Sequence, residues 1–211
     1  MAIQNSVNTN VAAFVALQNL NTINTRLDTV QNRVSTGLKV NSAVDDASNF
    51  AIAQGTRGNL KAYEAVSQGL SNARGIATVS LAGATSISDL LGDIQKKVTE
   101  GQNAGNTTEQ QSILNSDFRN LIAQVNIFIT NSTYNGRNIL SAASTSLNVI
   151  ANVDGSTLTI RSNSNFAFHS TNLGAQNISS TIAASHALSA LFLATASINQ
   201  VLGNIGADTR S

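Results

Sequence analysis

Between residues 63 and 98 the chain places an apolar or small side chain at every seventh position: Tyr63, Leu70, Ala77, Ala84, Leu91 and Val98. Val66, Ala73, Ser80, Ile87 and Ile94 fill the alternate positions, so the steps alternate three and four, the pattern of a helix seam. A helix carrying this seam is roughly 50 Å long at 1.5 Å per residue, too long for a compact globule of this mass. Nothing in the sequence breaks it, because the chain contains no proline, whose cost inside a helix is about 3 kcal/mol. Aromatic residues make up 4% of the chain against 42% apolar residues, so the core must be built from Ala, Leu, Ile and Val. Ala77, Ser80 and Ala84 leave room for a neighbouring helix to come close. The spacing predicts a rod of packed helices.

Other segments supply the partners. Ala13, Ala16, Leu20, Ile23, Leu27, Val30 and Val34 form a second three–four seam, and Val11, Phe14, Val15 and Leu17 broaden it near its start. A helix that is apolar on more than one side expects more than one neighbour. Gly37 suits a left-handed cap at its end. In the following stretch, STGLKVNSAVDDASNFAIA, Asp45 or Asp46 is placed to cap the start of the next helix, and either carboxylate favours its positive end. A cation site would need more convergent oxygens than this segment holds. Residues 100–110 read as a polar turn. A third helix follows, with Thr107 or Thr108 as its cap and Leu114, Phe118, Leu121, Val125 and Phe128 on one seam; the short connection makes it antiparallel to its predecessor.

Asn135-Gly136 is a strong turn signal. The pattern then switches to period two: Leu147, Val149, Ala151 and Val153 alternate, and Leu158 and Ile160 return after Asp154-Gly155. This predicts a β-hairpin near 145–162 closed by a tight primed turn. Residues 161–176, rich in Ser and Asn, carry no pattern that assigns a helix or a strand. The last seam holds Leu188, Leu191, Thr195, Ile198, Leu202 and Ile205. It finds apolar partners in the second and third helices, whereas the first helix has no obvious mate. The fold class expected is mainly α: an elongated antiparallel helical bundle or coiled-coil rod with a small β-hairpin region and an extended N-terminal helix.

Charge narrows the function classes. Twelve basic and eleven acidic residues give a formal net charge of +1. Nucleic-acid binding, which draws on clustered Lys and Arg, is not expected, and neither is a polybasic membrane anchor. Without cysteine there is no disulfide, thiolate chemistry or Cys-based zinc site. The first twenty residues lack the basic and apolar regions of a cleavable signal, and no uninterrupted apolar run approaches the roughly 18 residues of a membrane-spanning helix, so membrane insertion is not expected. Such a chain is cytoplasmic, or secreted by a route that needs no cleavable signal. His169 and His186 are the only imidazoles. Neither lies in a nucleophile elbow, and no H-E-x-x-H, Walker or dinucleotide motif is present, so no enzyme activity, metal site or cofactor is expected.

SVNTNVAAFVALQNLN, QNRVSTGLKVNSAVDDASNFAIA, TYNGRNIL and DGSTLTI, in this order and among these helices, resemble the bacterial flagellins, most closely those of alphaproteobacteria. The resemblance covers nearly the whole chain. It implies a structural subunit of the extracellular flagellar filament, secreted through the flagellar export apparatus, with other flagellin subunits and the hook-associated and cap proteins as partners. Residues 1–40 would supply an inner-tube helix and residues 41–211 the rod domain. A further C-terminal helix, which in the family pairs with the first, has no counterpart before Ser211. On this reading Val7, Val11, Phe14, Leu17, Leu20 and Leu27 pack between subunits in the inner tube. Arg33, Lys39, Asn41, Asp45 and Asp46 lie in the spoke, where they contact neighbours or only shape a bend. Leu70, Ile87, Leu91, Ile94, Leu121, Val125, Phe128, Leu191, Ile198 and Leu202 form the rod core. The alternative is a truncated flagellin-like protein acting at the hook–filament junction, as a surface binding protein or as a regulator of subunit supply.

Overall fold

The heptad seam lies within one helix that begins well upstream of the repeat. In the computed structural model, which describes residues 10–210, helix α2 runs Ala47–Gly101, 55 residues without interruption. It is preceded by α1 (Val11–Thr36) and followed by α3 (Thr108–Asn131), strands β1 (Leu147–Ile150) and β2 (Thr157–Ile160), and helices α4 (Ser164–Gly174) and α5 (Thr181–Asp208). The chain divides into two compact units, Met1–Lys61 and Ala62–Ser211. The first holds α1 and the opening turns of α2; the second holds the remainder of α2 and every later element.

Within the second unit the core follows the seam. Ala77, Ala84, Ile87, Leu91, Ile94 and Val98 of α2 are buried against Phe118, Ile122 and Val125 of α3 and Leu191, Ile198 and Ile205 of α5. The end of α2 meets the start of α3, where the Gln111 side chain donates to Gly101 O at 3.0 Å and Lys97 Nζ lies 3.0 Å from the Asp117 carboxylate. That carboxylate holds the Lys97 ammonium above the ordinary lysine range. Thr107 caps α3 through a capping box: its hydroxyl accepts from Gln110 N, and the Gln110 side chain accepts from Thr107 N. Helix α5 is also antiparallel to α2. Gln102 at the end of α2 donates to Ser185 near the start of α5 (3.4 Å), while Leu70, Ala73 and Ala77 share a cleft with Asp208 at the other end.

Tyr63, where the heptad seam begins, is exposed, and the buried seam starts at Ala73; four further features differ from the sequence pattern. Phe128 lies on the outside of α3, 36% exposed, and Ile129 takes the buried position. Steps of four, three and four from Phe118 lead to Ile122, Val125 and Ile129, so the strict heptad read along the edge of the true stripe. The second is the helix α4, which forms where none was expected. Its Ser- and Asn-rich composition is a weak helix former, but Phe166, Ala167 and Leu173 are buried and pack it on α5 and α3.

The third difference is the hairpin connection. The strands pair Leu147 with Ile160 and Ile150 with Thr157, leaving six residues between them. Gly155 has φ +84° but Asp154 is not left-handed, so a primed Asp-Gly turn does not form. Asn152 O instead accepts from Gly155 N, and Ala151 N donates to Ser156 O. The primed turn is at Asn135-Gly136, with φ +49° and +75°. Finally, an 18-residue stretch of α5 has mean hydropathy 1.5, so by length and composition alone this helix is long and apolar enough to cross a membrane. A search for uninterrupted apolar runs passes over it. Ala184, Ala187, Leu191, Ala194 and Ile198 nevertheless face the bundle core.

The bundle is tight where α2 is small. A Cβ added at Gly83 would collide with the Ser132 hydroxyl, which donates to Phe128 O at 2.6 Å, and would lie 3.0 Å from the Ser132 Cβ. Gly83→Ala is therefore expected to destabilise the second unit by about 1–3 kcal/mol, seen as a lower urea midpoint. Ser80 is fully buried and its hydroxyl has no hydrogen-bond partner. Ser80→Ala removes an unsatisfied group, so the same titration should show it neutral or stabilising by about 1 kcal/mol.

Candidate assembly surfaces

Helix α1 begins at Asn10, whose side-chain oxygen accepts from Ala13 N at 3.2 Å, and ends at Gly37, left-handed with φ +68°. Thr22, Thr25, Thr29 and Thr36 each donate a hydroxyl to the carbonyl four residues back, which satisfies those polar groups locally. None of its residues is buried. From Val15 at 51% to Val34 at 78%, every large apolar side chain on the helix is more than half exposed. Val11, Phe14, Leu17, Leu20 and Leu27 are among them; Val7 lies outside the described residues. Fully burying a side chain of this size is worth about 1.5–3 kcal/mol. The stripe is a large unused reserve of hydrophobic free energy.

The two adjacent aspartates between α1 and α2 divide the work of a bend. Asp45 reaches back: its carboxylate accepts from Asn41 N (3.1 Å) and Ser42 N (3.2 Å). Asp46 reaches forward as the cap of α2, accepting from Asn49 N at 3.0 Å and from the Asn49 side chain at 2.6 Å. Phe50 N donates to Asp46 O. Backbone donors hold both carboxyls below the usual carboxylate range: Asn41 and Ser42 for Asp45, with Arg33 adding a smaller effect, and Asn49 for Asp46. Arg33, Lys39 and Asn41 are exposed, and among the described residues neither Arg33 nor Lys39 makes an ion pair.

In the second unit, Ile87, Leu91, Ile94, Val125, Leu191 and Ile198 are buried, and Leu70, Leu121 and Leu202 are half-buried against them. The hairpin turns Leu147, Val149, Leu158 and Ile160 inward, and a Gly69 side chain would begin 3.7 Å from Val149. Its far end is tied to α5. Arg161 N donates to the Asp208 carboxylate at 3.0 Å, and the Arg161 guanidinium lies 3.2 Å from it. Asp208 is buried at a helix C-terminus, where the dipole disfavours an anion, and the Arg161 donors offset part of that cost. An apolar cleft of about 570 Å³ separates the hairpin from α2, lined by Ala65, Val66, Gly69, Ile76, Val149 and Val153 among others. Sequence reading missed it; the small residues Ala62, Ala65 and Gly69 on one helical face were its only trace.

His169 lies in α4 and His186 is exposed on α5. Among the described residues no group of three or more His, Asp or Glu is placed to hold a metal ion.

The acid dependence of the bend follows from the direction of these shifts. A carboxyl with a lowered folded pKa contributes stability above its unfolded value and loses it as pH falls through the folded one. Amide exchange at Asn41, Ser42 and Asn49 should therefore accelerate as pH falls below the ordinary carboxylate range, after correction for intrinsic rates. Asp45→Asn should keep Asn41 and Ser42 protected and remove their share of the pH dependence; Asp45→Ala should leave both unprotected at every pH.

Residues 7–145 match the family model described as the bacterial flagellin N-terminal helical region. The chain is 37% identical over 156 residues to flagellin FljO of Caulobacter vibrioides, covering 74% of this chain and 57% of that protein. Against flagellin FljJ of the same organism it is 31% identical over 212 residues, 97% of this chain and 75% of that protein. It is 32% identical over 151 residues to a flagellin of Brucella melitensis, 72% of this chain and 53% of that protein. The chain thus spans a little over half the length of the first of these relatives. The crystal structure of Bacillus cereus flagellin shares the fold, with a TM-score of 0.60 at 17% identity, over 66% of this chain and 81% of that one. Matched to the family model over more than half its length and to curated flagellins over most of it, the chain belongs to the bacterial flagellin family.

Proposed function

We propose that this chain is a structural subunit of the bacterial flagellar filament, which completes its N-terminal helix by packing it against copies of itself or of related flagellins outside the cell. The observation that carries this reading is the uncovered stripe of α1. A helix with no buried residue and nine large apolar side chains more than half exposed gains its stability from another surface. Membership of the flagellin family supports a neighbouring subunit as that surface.

In this reading residues 1–40 form the inner-tube helix, with Val7, Val11, Phe14, Leu17, Leu20 and Leu27 packing between subunits. Residues 41–211 form the rod domain. Arg33, Lys39, Asn41, Asp45 and Asp46 form the spoke between the two. Exposed charge pairs there are worth about 0–1 kcal/mol each, so they tune register while apolar burial holds the assembly. Secretion through the flagellar export apparatus, and contact with hook-associated and cap proteins, belong to the same reading. Flagellins form a family of structural proteins, and the proposed role involves no catalysis or cofactor.

Seeding tests it. Purified protein added to short flagellar filament fragments is expected to lengthen them, measured by electron microscopy. Leu20→Asp and Leu27→Asp alter exposed positions, so they should leave the urea transition of the second unit unchanged while abolishing elongation. Attachment that stops at filament ends without growth, inert wild-type protein, or elongation by both variants would overturn the proposal.

A further inference from the structure

Asn135-Gly136 is the one place in the sequence where asparagine precedes glycine, and the fold leaves both residues open to solvent. They form the two central positions of a primed turn, closed by Tyr134 N donating to Arg137 O and Arg137 N donating to Tyr134 O, each at 2.9 Å. Neither the Asn135 carboxamide nor the Gly136 N–H makes a hydrogen bond in the described structure. Apart from its chain neighbours, no heavy atom lies within 4 Å of where a Gly136 side chain would begin. Nearby asparagines are held differently. The Asn138 amide donates to Ile129 O at 2.6 Å while its oxygen accepts from Leu140 N and Ser141 N, and Asn163 is buried with its amide on Arg161 O.

We propose that Asn135 is a modification site at which the folded subunit deamidates without an enzyme and acquires an isoaspartate, and that the extra backbone atom opens this turn. The deprotonated Gly136 nitrogen attacks Cγ of Asn135. A C–N bond forms, the Cγ–Nδ2 bond breaks, and Nδ2 leaves with a proton from solvent as ammonia. Solvent water then adds to one of the two carbonyls of the resulting succinimide. Opening at one carbonyl gives aspartate; opening at the other gives isoaspartate, with the main chain rerouted through the side-chain carbon. No electrons are gained or lost, and water is the only co-reactant. Glycine favours the first step because it has no Cβ to shield its nitrogen.

The consequence follows from the turn. A two-residue connection fixes the pairing of the residues that flank it, and isoaspartate lengthens it by one methylene. Tyr134 and Arg137 can then no longer keep both bonds. The Tyr134 ring, which lies against the bare backbone of Gly75 on α2, loses its fixed seat. Aspartate at the same position adds the same charge but no backbone atom, and it tolerates the left-handed conformation. None of this depends on filament assembly.

The test uses the intact chain, incubated folded at mildly alkaline pH and analysed by peptide mapping with mass spectrometry. Asn41 and Asn131, each followed by serine, serve as internal references. Conversion at Asn135 is expected to run roughly tenfold ahead of both, because only there is the attacking nitrogen unshielded; equal or slower conversion would overturn the proposal. Gly136→Ala should slow it, with retained fold checked by circular dichroism. Purified isoaspartyl protein should be cut by trypsin after Arg137 faster than unmodified protein, whereas Asn135→Asp should be cut at the unmodified rate. Identical cleavage of all three would sink the claim that the turn opens.

Discussion

Apolar surface that a folding unit cannot bury within itself governs this molecule. Helix α1 has its hydrogen bonds made, its N-terminus capped by Asn10, its C-terminus closed by Gly37 and its threonine hydroxyls turned back onto its own carbonyls. What it lacks is a partner for Leu20, Ile23, Leu27 and Val30. In proteins most of a helix's stability comes from tertiary burial of its apolar face rather than from its own backbone hydrogen bonds. The second unit shows the contrast. There the same palette of Ala, Leu, Ile and Val is consumed internally, with Ile87, Ile94, Ile198 and Ile205 fully buried, and Phe118 and Phe166 add two buried aromatic rings that the composition did not lead one to expect.

This difference decides which interactions matter where. In the second unit, polar groups trim and fasten a core that already exists: the capping box at Thr107, the Gln111 bond to Gly101 O, and the Arg161–Asp208 tie that holds the hairpin to α5. A two-stranded hairpin is marginal by itself, so the tie and the inward Val149 and Ile160 do for it what a third strand would do. In the first unit, Asp45 and Asp46 shape a bend and start a helix, and both act through backbone N–H groups. The two neighbouring carboxylates, read from the sequence as a cap or a bend, bond backbone N–H groups on either side of that bend.

The sequence made much of this legible because long helices with one buried face repeat their pattern many times. From Ala73 onward the seam of α2, through Ala77, Ser80, Ala84, Ile87, Leu91, Ile94 and Val98, is buried as the spacing predicts, whereas Tyr63 at its start is exposed and Val66 and Leu70 are half-buried. The exposed stripe of α1 was equally visible as a seam without a mate. What was not legible depended on context. Helix α4 is too short and too polar to announce itself, and it exists because Phe166 and Leu173 find α3 and α5. The true stripe of α3 passes through Ile122 and Ile129 where the heptad reading passes through Leu121 and Phe128, since a straight helix drifts against a seven-residue repeat. The two Xaa-Gly turns exchanged roles: pairing of Ile150 with Thr157 left too many residues for a tight turn at Asp154-Gly155, while Tyr134 and Arg137 approach closely enough to require one at Asn135-Gly136.

Charge completes the argument for assembly by apolar contact. Between Val11 and Thr36 the only ionisable side chains are Arg26, Asp28 and Arg33. Copies of this helix brought side by side meet little like-charge repulsion, and little of their attraction is subject to screening by salt. The remaining polar residues of α1 are Asn, Gln, Ser and Thr, several already bonded to their own helix, so bringing another surface against the stripe strips water mainly from carbon. An interface of that kind gains free energy in proportion to the apolar area it closes and is indifferent to ionic strength over a wide range. In the proposed filament the same helix that is unsupported in one copy becomes the best-supported element once its neighbours are in place, because the residues that cost most to leave in water are the ones the contact removes from it.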